Sequence, residues 1–159
     1  MRKSTMAINI LMLTLGVAQA QTLSGKVIKI ADGDTLTILE YPHTQYRIRL
    51  AQIDAPEKAQ DFGQKSKQSL SDMCFGKMAS VEVVDTDKYN REVGVVTCSG
   101  KEVNYEQVKN GMAWVYDKYA NDPKYFQAQK YARNNLLGLW SISSPTPPWD
   151  YRRKKRNAE

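Results

Sequence analysis

Residues 23–39 read LSGKVIKIADGDTLTIL. Polar and apolar residues alternate over 23–30 and again over 35–39, which is the period of a strand with one buried face. Between the two runs, Asp32-Gly33-Asp34 has the residue types of a tight turn. The stretch therefore predicts a β-hairpin whose turn carries two carboxylates.

Three further strands follow this hairpin. Residues 46–51 alternate again, so Arg47 and Arg49 share one face of that strand. Residues 80–85 and 92–97 are valine-rich and flank a polar turn. The pattern predicts five short strands in all.

Three segments carry helical signals: residues 63–73, 103–110 and 123–135. The first contains few β-branched residues, and the second is closed by Gly111. The third has Pro123 near its start and Gly138 just after its end. Strands and helices together predict a small α+β protein.

The amino-terminal segment Met1–Ala20 has the pattern of a secretory leader. Arg2 and Lys3 precede an apolar run, and Ala18-Gln19-Ala20 supplies a small-x-small cleavage site. The apolar run is too short to span a bilayer. An amphipathic first helix is the alternative. We expect cleavage after Ala20, leaving one domain over 21–142 and a tail over 143–159.

The tail is rich in proline and in basic residues, with RRKKR at 152–156. Such a composition predicts disorder. The tail is either a solubilising segment or a grip on phosphates that is independent of sequence. The formal net charge of +6 favours a polyanionic partner.

Cys74 and Cys98 are the two cysteines of the chain. An oxidising compartment, which the leader predicts, favours a disulfide between them. Two buried free thiols are the alternative. The chain has one histidine, His43, and no second cysteine close in sequence, so zinc is disfavoured.

Acids and arginines recur at the polar ends of the apolar runs, in a pattern suited to a phosphate ester. Asp34 and Asp54 are hard oxygen donors at strand ends, where both can reach one calcium or magnesium ion. Glu57 follows Asp54 by three residues with Pro56 between them, a position suited to a base beside the metal. A guanidinium pairs with two phosphoryl oxygens at once, where a lysine offers a point charge.

The motifs are an Asp-Gly-Asp-Thr turn at 32–35, Arg-x4-Asp-x-Pro-Glu at 49–57 and Lys-Tyr-x-Arg at 88–91. Together they resemble the staphylococcal-nuclease (thermonuclease) family, and the resemblance runs from about Gly25 to Trp140. It implies a five-stranded OB-type barrel with three helices. Closure of the barrel would remove the strand edges, although periodicity alone cannot tell a barrel from an open sheet.

The resemblance also implies site residues. Calcium would be bound by Asp34, Asp54 and the backbone carbonyl of Ala55, with Asp32 acting on these ligands rather than on the ion. Ala55 replaces the threonine of the staphylococcal protein, which a carbonyl ligand tolerates.

For catalysis the family implies Arg49, Glu57 and Arg91. Arg49 would bind the scissile phosphate, Glu57 would activate the attacking water, and Arg91 would stabilise developing charge or the leaving oxygen. Arg47 is excluded because it lies two residues off the matched spacing. Asn90 stands where the family has glycine, and asparagine tolerates positive φ.

Aromatic residues give a second set of candidates. Tyr89 and Tyr116 could stack on a base, and Lys88 could touch a phosphate. Core packing is the alternative for these rings, and more so for Trp114. Trp140 is expected to close the core and Trp149 to belong to the tail.

These features predict a secreted or periplasmic, calcium-dependent endonuclease. The resemblance implies action on DNA and RNA with little sequence specificity, cutting the P–O5′ bond to leave 3′-phosphate ends. A monomer is expected, without an obligate protein partner and off the membrane once the leader is removed. A non-catalytic OB-type binding module is the rival, and retention of all five acids and arginines argues against it. A calcium-binding structural protein would not explain the arginines.

Overall fold

The computed structural model describes residues 21–158. The predicted leader, Met1–Ala20, lies outside the described residues. In chain order the strands are β1 Thr22–Ile30, β2 Thr35–Glu40, β3 Thr44–Leu50, β4 Ile53–Asp54, β5 Met78–Thr86, β6 Glu92–Cys98, β7 Lys101–Glu102 and β8 Trp114–Val115. The α-helices are α1 Gly63–Cys74, α2 Val103–Lys109, α3 Pro123–Asn134 and α4 Pro148–Ala158, with a 3₁₀ helix at Gly138–Ser141.

Five strands close into a barrel in the order β3-β2-β1-β5-β6. Strands adjacent in this order pair antiparallel. A parallel pairing of β3 with β6 closes the barrel, with Ile48 opposite Glu92 and Leu50 opposite Gly94. The α+β class and the five-stranded OB-type barrel are therefore confirmed. The short strands β4 and β8 form a separate antiparallel pair.

The barrel interior is filled by the apolar half of each alternating strand. Fully buried residues from the strands include Val27, Leu36, Ile38, Ile48, Leu50, Val81 and Val96. The helices add Leu70 from α1, Val103 and Val108 from α2, and Tyr125 from α3 to the same core. Removal of this apolar area from water is the main driving force for the fold.

The start of α3 has the proline predicted for it, together with a capping side chain. Asp122 caps α3, since its side chain accepts a hydrogen bond from the Lys124 N–H at 2.9 Å, and Pro123 occupies the first turn. A disulfide joins Cys74, the last residue of α1, to Cys98, the last residue of β6. It ties the first helix to the barrel wall.

The prediction of a disordered tail is wrong, because residues 148–158 form α4 and the helix count rises from three to four. Pro148 is buried and starts the helix, a position where proline is tolerated. Trp149 is not a free tail residue, since its ring lies 5.8 Å from the Trp114 ring, centroid to centroid. None of the helices in residues 21–158 is long and apolar enough to cross a membrane.

Candidate active site

Asp34 is held rigidly at the turn between β1 and β2. Its Oδ2 accepts a hydrogen bond from the Ala55 N–H at 2.6 Å, and its Oδ1 accepts one from the Thr35 hydroxyl at 3.1 Å. The Asp34 N–H in turn donates to Asp32 Oδ1 at 3.1 Å. Asp34 is only 6% exposed, so one orientation of this carboxylate is fixed inside the protein.

Asp54 and Arg49 meet Asp34 from the neighbouring strands. Arg49 leaves β3 with one terminal nitrogen 3.1 Å from Asp54 Oδ1 and 3.3 Å from Asp34 Oδ2. Its other terminal nitrogen donates to the Leu50 carbonyl at 2.7 Å. Two carboxylates that lie twenty residues apart in sequence therefore converge on one cationic group.

Burial raises the pKa of two carboxyl groups at this site, Asp54 and Asp32. Burial raises the pKa of Asp54, and the Asp34 charge raises it further, while the hydrogen bond from Arg152 opposes both. Burial and the Asp34 charge also raise the pKa of Asp32 to about 6. Burial disfavours the charged form of a carboxyl group, and the neighbouring Asp34 charge adds to that effect.

Glu57 lies at the mouth of the site and is contacted by a residue that sequence patterns did not predict. Arg152 of α4 places one terminal nitrogen 2.8 Å from Glu57 Oε1 and the other 2.7 Å from Asp54 Oδ2. Arg152 follows Trp149 by three residues and so shares its face of the helix. That spacing is the signal that could have revealed it, had the tail been assigned as helical.

Arg91 is near the site but is paired elsewhere. It comes two residues before Val93, which is the parallel partner of Arg49. Its guanidinium donates to Asp87 Oδ2, with both Nε and Nη2 at 2.7 Å. Within residues 21–158, no hydrogen bond or ion pair joins it to Asp34, Asp54 or Glu57. Arg47, the excluded arginine, is exposed on β3.

The turn before β6 carries the predicted substrate contacts Tyr89 and Lys88. The Tyr89 side chain is 65% exposed, so it is not a core residue. Its ring lies 5.5 Å from the Arg91 guanidinium and 5.1 Å from Lys88 Nζ. Asn90 adopts φ 56°, in agreement with the role expected from its place in the turn.

Tyr116 already has an aromatic partner. Trp149 of α4 stacks on it with ring centroids 5.4 Å apart and planes inclined by 4°. Trp114 is buried against Trp140 at 4.4 Å, so it packs in a second small core. The structure therefore assigns Trp114 and Trp140 to packing and leaves Tyr116 partly covered.

Two buried side-chain amides of α2 form hydrogen bonds with the backbone near the site, and neither was predicted from the sequence. Gln107 Nε2 donates to the Gly33 carbonyl at 2.6 Å and to the Ser66 carbonyl at 3.0 Å. Asn104 Nδ2 donates to the Ala51 carbonyl at 3.0 Å, and its Oδ1 accepts from the Val96 N–H at 2.9 Å. A polar residue between buried valines of a short helix is the signal that predicts such a role.

The donor set for a metal is small. Among residues 21–158, no three His, Cys, Asp or Glu side chains form a cluster that could hold an ion. Asp34 and Asp54 present carboxylate oxygens to a shared cation position, where one terminal nitrogen of Arg49 lies. Two carboxylates and a nearby backbone carbonyl, completed by water, are ligands that a hard cation accepts.

Comparisons with known proteins identify the family of the chain. The family model for staphylococcal nuclease homologues matches residues 47–142. A Haemophilus influenzae protein described as an uncharacterized endonuclease is 45% identical over 82% of this chain and 74% of its own length. A Shigella flexneri micrococcal nuclease is 39% identical over 84% of this chain and 83% of its own. The chain belongs to the family of staphylococcal nuclease homologues and is a nuclease, a hydrolase of phosphodiester bonds.

Proposed function

We propose that this nuclease is a calcium-dependent endonuclease that hydrolyses DNA and RNA with little sequence specificity and leaves 3′-phosphate ends. It acts outside the cytoplasm, as a secreted or periplasmic monomer, after loss of the segment 1–20. The observation that carries the proposal is the convergence of Asp34, Asp54 and Arg49, with Glu57 beside them.

Asp34, Asp54 and the Ala55 carbonyl would hold the calcium ion. Their chemistry fits, since both carboxylates are buried and the Ala55 N–H already fixes Asp34 at 2.6 Å. Bound calcium would offset charge on the phosphoryl oxygens. Asp32 supports this arrangement through its hydrogen bond to the Asp34 N–H.

Arg49 would bind the scissile phosphate. Its side chain is 14% exposed and is aligned by the Leu50 carbonyl, so its planar fork is presented at a fixed angle. A fork of this kind pairs with two phosphoryl oxygens and gains strength as charge builds in the transition state. Asp34 and Asp54 would exchange this guanidinium for the metal ion.

Glu57 would be the general base. Its side chain is 40% exposed, so water can reach it, while its neighbour Asp54 is 2% exposed. A carboxylate at the edge of a metal site can accept a proton from an attacking water without ligating the ion. The Glu57 backbone is fixed because its N–H donates to Gln60 Oε1 at 2.8 Å.

Arg91 would stabilise charge on the leaving side of the phosphate. This requires its guanidinium to exchange Asp87 for a phosphate oxygen, which is favourable where the phosphate gains negative charge. Lys88 and Tyr89 share its turn and would contact the neighbouring backbone and base. Tyr116 would contribute the ring surface that Trp149 leaves uncovered.

The cysteine pair supports a location outside the cytoplasm. Both half-cystines are buried and joined, and disulfides persist in oxidising compartments. The sequence of residues 1–20 adds the features of a leader.

Cleavage of a single-stranded DNA oligonucleotide by residues 21–159 tests the proposal, with calcium, magnesium or excess chelator present. We expect cleavage in calcium, none in chelator, and a loss of orders of magnitude in Glu57→Gln. Glu82→Gln is the matched control, because Glu82 is exposed on β5. Phosphatase treatment of the products should reveal 3′-phosphates. Binding without cleavage in every condition would instead indicate a nucleic-acid-binding module.

A further inference from the structure

The helix α4 reaches into the catalytic carboxylates through one residue. Arg152 spans two of them, with Nη1 2.8 Å from Glu57 Oε1 and 3.3 Å from Asp54 Oδ1, and Nη2 2.7 Å from Asp54 Oδ2. The helix lies beyond residues 47–142, the part of the chain that the family model matches. The contact therefore joins a residue outside the matched part of the chain to two residues inside it.

Neutral groups dock α4 independently of these charges. Trp149 stacks on Tyr116 at 5.4 Å and meets Trp114 edge-on at 5.8 Å. Gln60 Nε2 donates to the Thr146 carbonyl at 3.1 Å just before the helix, and Pro148 is buried. Because aromatic packing already fixes the helix, the position of Arg152 beside the site does not depend on its ion pairs alone.

The ion pair with Arg152 fixes a side chain that has little else to hold it. Glu57 is 40% exposed, and within residues 21–158 its Oε2 makes no hydrogen bond. Arg152 engages Oε1 and leaves Oε2 to accept a proton. An exposed glutamate otherwise samples several rotamers, and a base held in one of them reacts from a smaller set of geometries.

The charge balance of the site favours an Arg152 that stays in place when the metal ion binds, rather than one that only occupies the metal position in its absence. Asp34, Asp54 and Glu57 supply three negative charges, and Arg49 supplies one positive charge, while Arg91 and Asp87 are paired and add no net charge. A divalent ion would neutralise that sum, and a phosphodiester would then make the site negative again. Arg152 provides the compensating positive charge while metal and substrate are both bound.

We infer that Arg152 is a positioning residue for Glu57, through which it acts on the attacking water. This inference rests on the proposed function, in which Glu57 is the base. Asp54 serves as the second anchor of the guanidinium fork. The planar fork is needed because a lysine ammonium, as a point charge, cannot hold both carboxylates in the same orientation.

Steady-state cleavage kinetics of Arg152→Gln in calcium test the inference. We expect kcat to fall by about 10- to 100-fold, the usual effect of removing a partner that orients a reacting group, with a smaller change in KM. Arg152→Lys should recover part of the loss. Arg153→Gln is the matched control, because Arg153 is 65% exposed and its one ion pair within residues 21–158 is with Asp150 on its own helix.

A double-mutant cycle with Glu57→Gln separates positioning from loosened structure. If Arg152 acts through Glu57, Arg152→Gln should cause little further loss in the Glu57→Gln background. An equal loss in both backgrounds would overturn the inference. Thermal unfolding of each variant checks that α4 stays docked, and a normal midpoint in Arg152→Lys keeps the test valid if Arg152→Gln is unstable.

Calorimetric titration with calcium gives a readout that does not depend on activity. Faster cleavage and tighter calcium binding in Arg152→Gln would identify Arg152 as a competitor of the ion and refute the positioning role, as would kinetics equal to those of Arg153→Gln. If Glu57→Gln itself retains full activity, the proposed base is wrong and the proposed function fails at that point. A large effect of Glu57→Gln without one of Arg152→Gln refutes the inference alone.

Discussion

Gln107 Nε2 donates a 2.6 Å hydrogen bond to the carbonyl of Gly33, so a buried side chain of α2 fixes the turn that carries Asp34. The same nitrogen also donates to the Ser66 carbonyl, and Gln107 Oε1 accepts a hydrogen bond from the Ser69 hydroxyl at 2.7 Å. Position 33 cannot carry a side chain here, because a Cβ would lie 1.8 Å from Ser66 Oγ. The candidate metal site is thus supported by a polar network inside the core.

Replacing Gln107 by methionine should destabilise the protein and weaken the site together. The carbonyls of Gly33 and Ser66 would lose their buried donor, at a cost of about 1–3 kcal/mol. Urea unfolding gives the free energy, and oligonucleotide cleavage gives the activity. Gln127→Met on the exposed face of α3 is the control. Equal stability of the two variants would show that the network contributes little.

Local patterns predicted much of this fold and site. Alternation over 23–39 is sufficient to predict β1, β2 and the Asp32–Asp34 turn, because strand period and turn chemistry are local properties. The ends of the strands differ by one or two residues, as with β3, which begins at Thr44 rather than Tyr46. Closure through the parallel pairing of β3 with β6 is a long-range contact that periodicity cannot reveal.

The helix α4 shows why the rest was missed. The prolines and the five consecutive basic residues of the tail predict disorder when only composition is considered. Tertiary packing of Trp149 stabilises the helix instead. Helical order in such a segment depends on the surface that covers its apolar face. Arg152 joined the site only through that docking. The ion pair between Asp87 and Arg91 was not predicted either, because it depends on the conformation of the turn that joins them.

The Asp87–Arg91 contact predicts a pH-dependent contribution to stability. Partial burial raises the pKa of Asp87, but hydrogen bonds from the Arg91 side chain and from the N–H groups of Arg91 and Tyr89 lower it more, so its pKa lies below the ordinary value. A carboxylate with a lowered folded-state pKa stabilises the fold above its unfolded pKa and loses that effect as pH falls through the folded value.

Asp87→Ala should therefore cost about 1 kcal/mol near pH 7, the scale of a hydrogen bond to a charged group discounted for partial exposure. The difference from wild type should shrink as the pH falls below about 4, where carboxylates protonate. Urea unfolding at several pH values measures it, with Asp117→Ala, an exposed carboxylate, as control. A difference that stays constant down to pH 2 would contradict the charge-based account.

The disulfide should contribute strongly to stability. It closes a loop of sequence separation 24 between α1 and β6, which corresponds to about 3 kcal/mol in the chain-entropy model. Replacing both Cys74 and Cys98 by alanine should lower the free energy of unfolding by that amount or more, because both sites are buried. Reductant should destabilise the wild type and leave the double variant unchanged. A reductant effect on the double variant would mean that another process is being measured.

Calcium should stabilise the folded protein through Asp34 and Asp54. A ligand that binds only the native state adds about 2.7 kcal/mol when its concentration is a hundred times Kd, so the thermal midpoint should rise with calcium and fall back on addition of chelator. Asp34→Asn and Asp54→Asn should each abolish the shift, since a neutral amide leaves too little charge for calcium to displace the Arg49 guanidinium from the shared cation position. Asp61→Asn, an exposed acid before α1, should keep it. A calcium shift that survives in both Asp34→Asn and Asp54→Asn would place the ion elsewhere in the molecule and remove these two residues from the metal site.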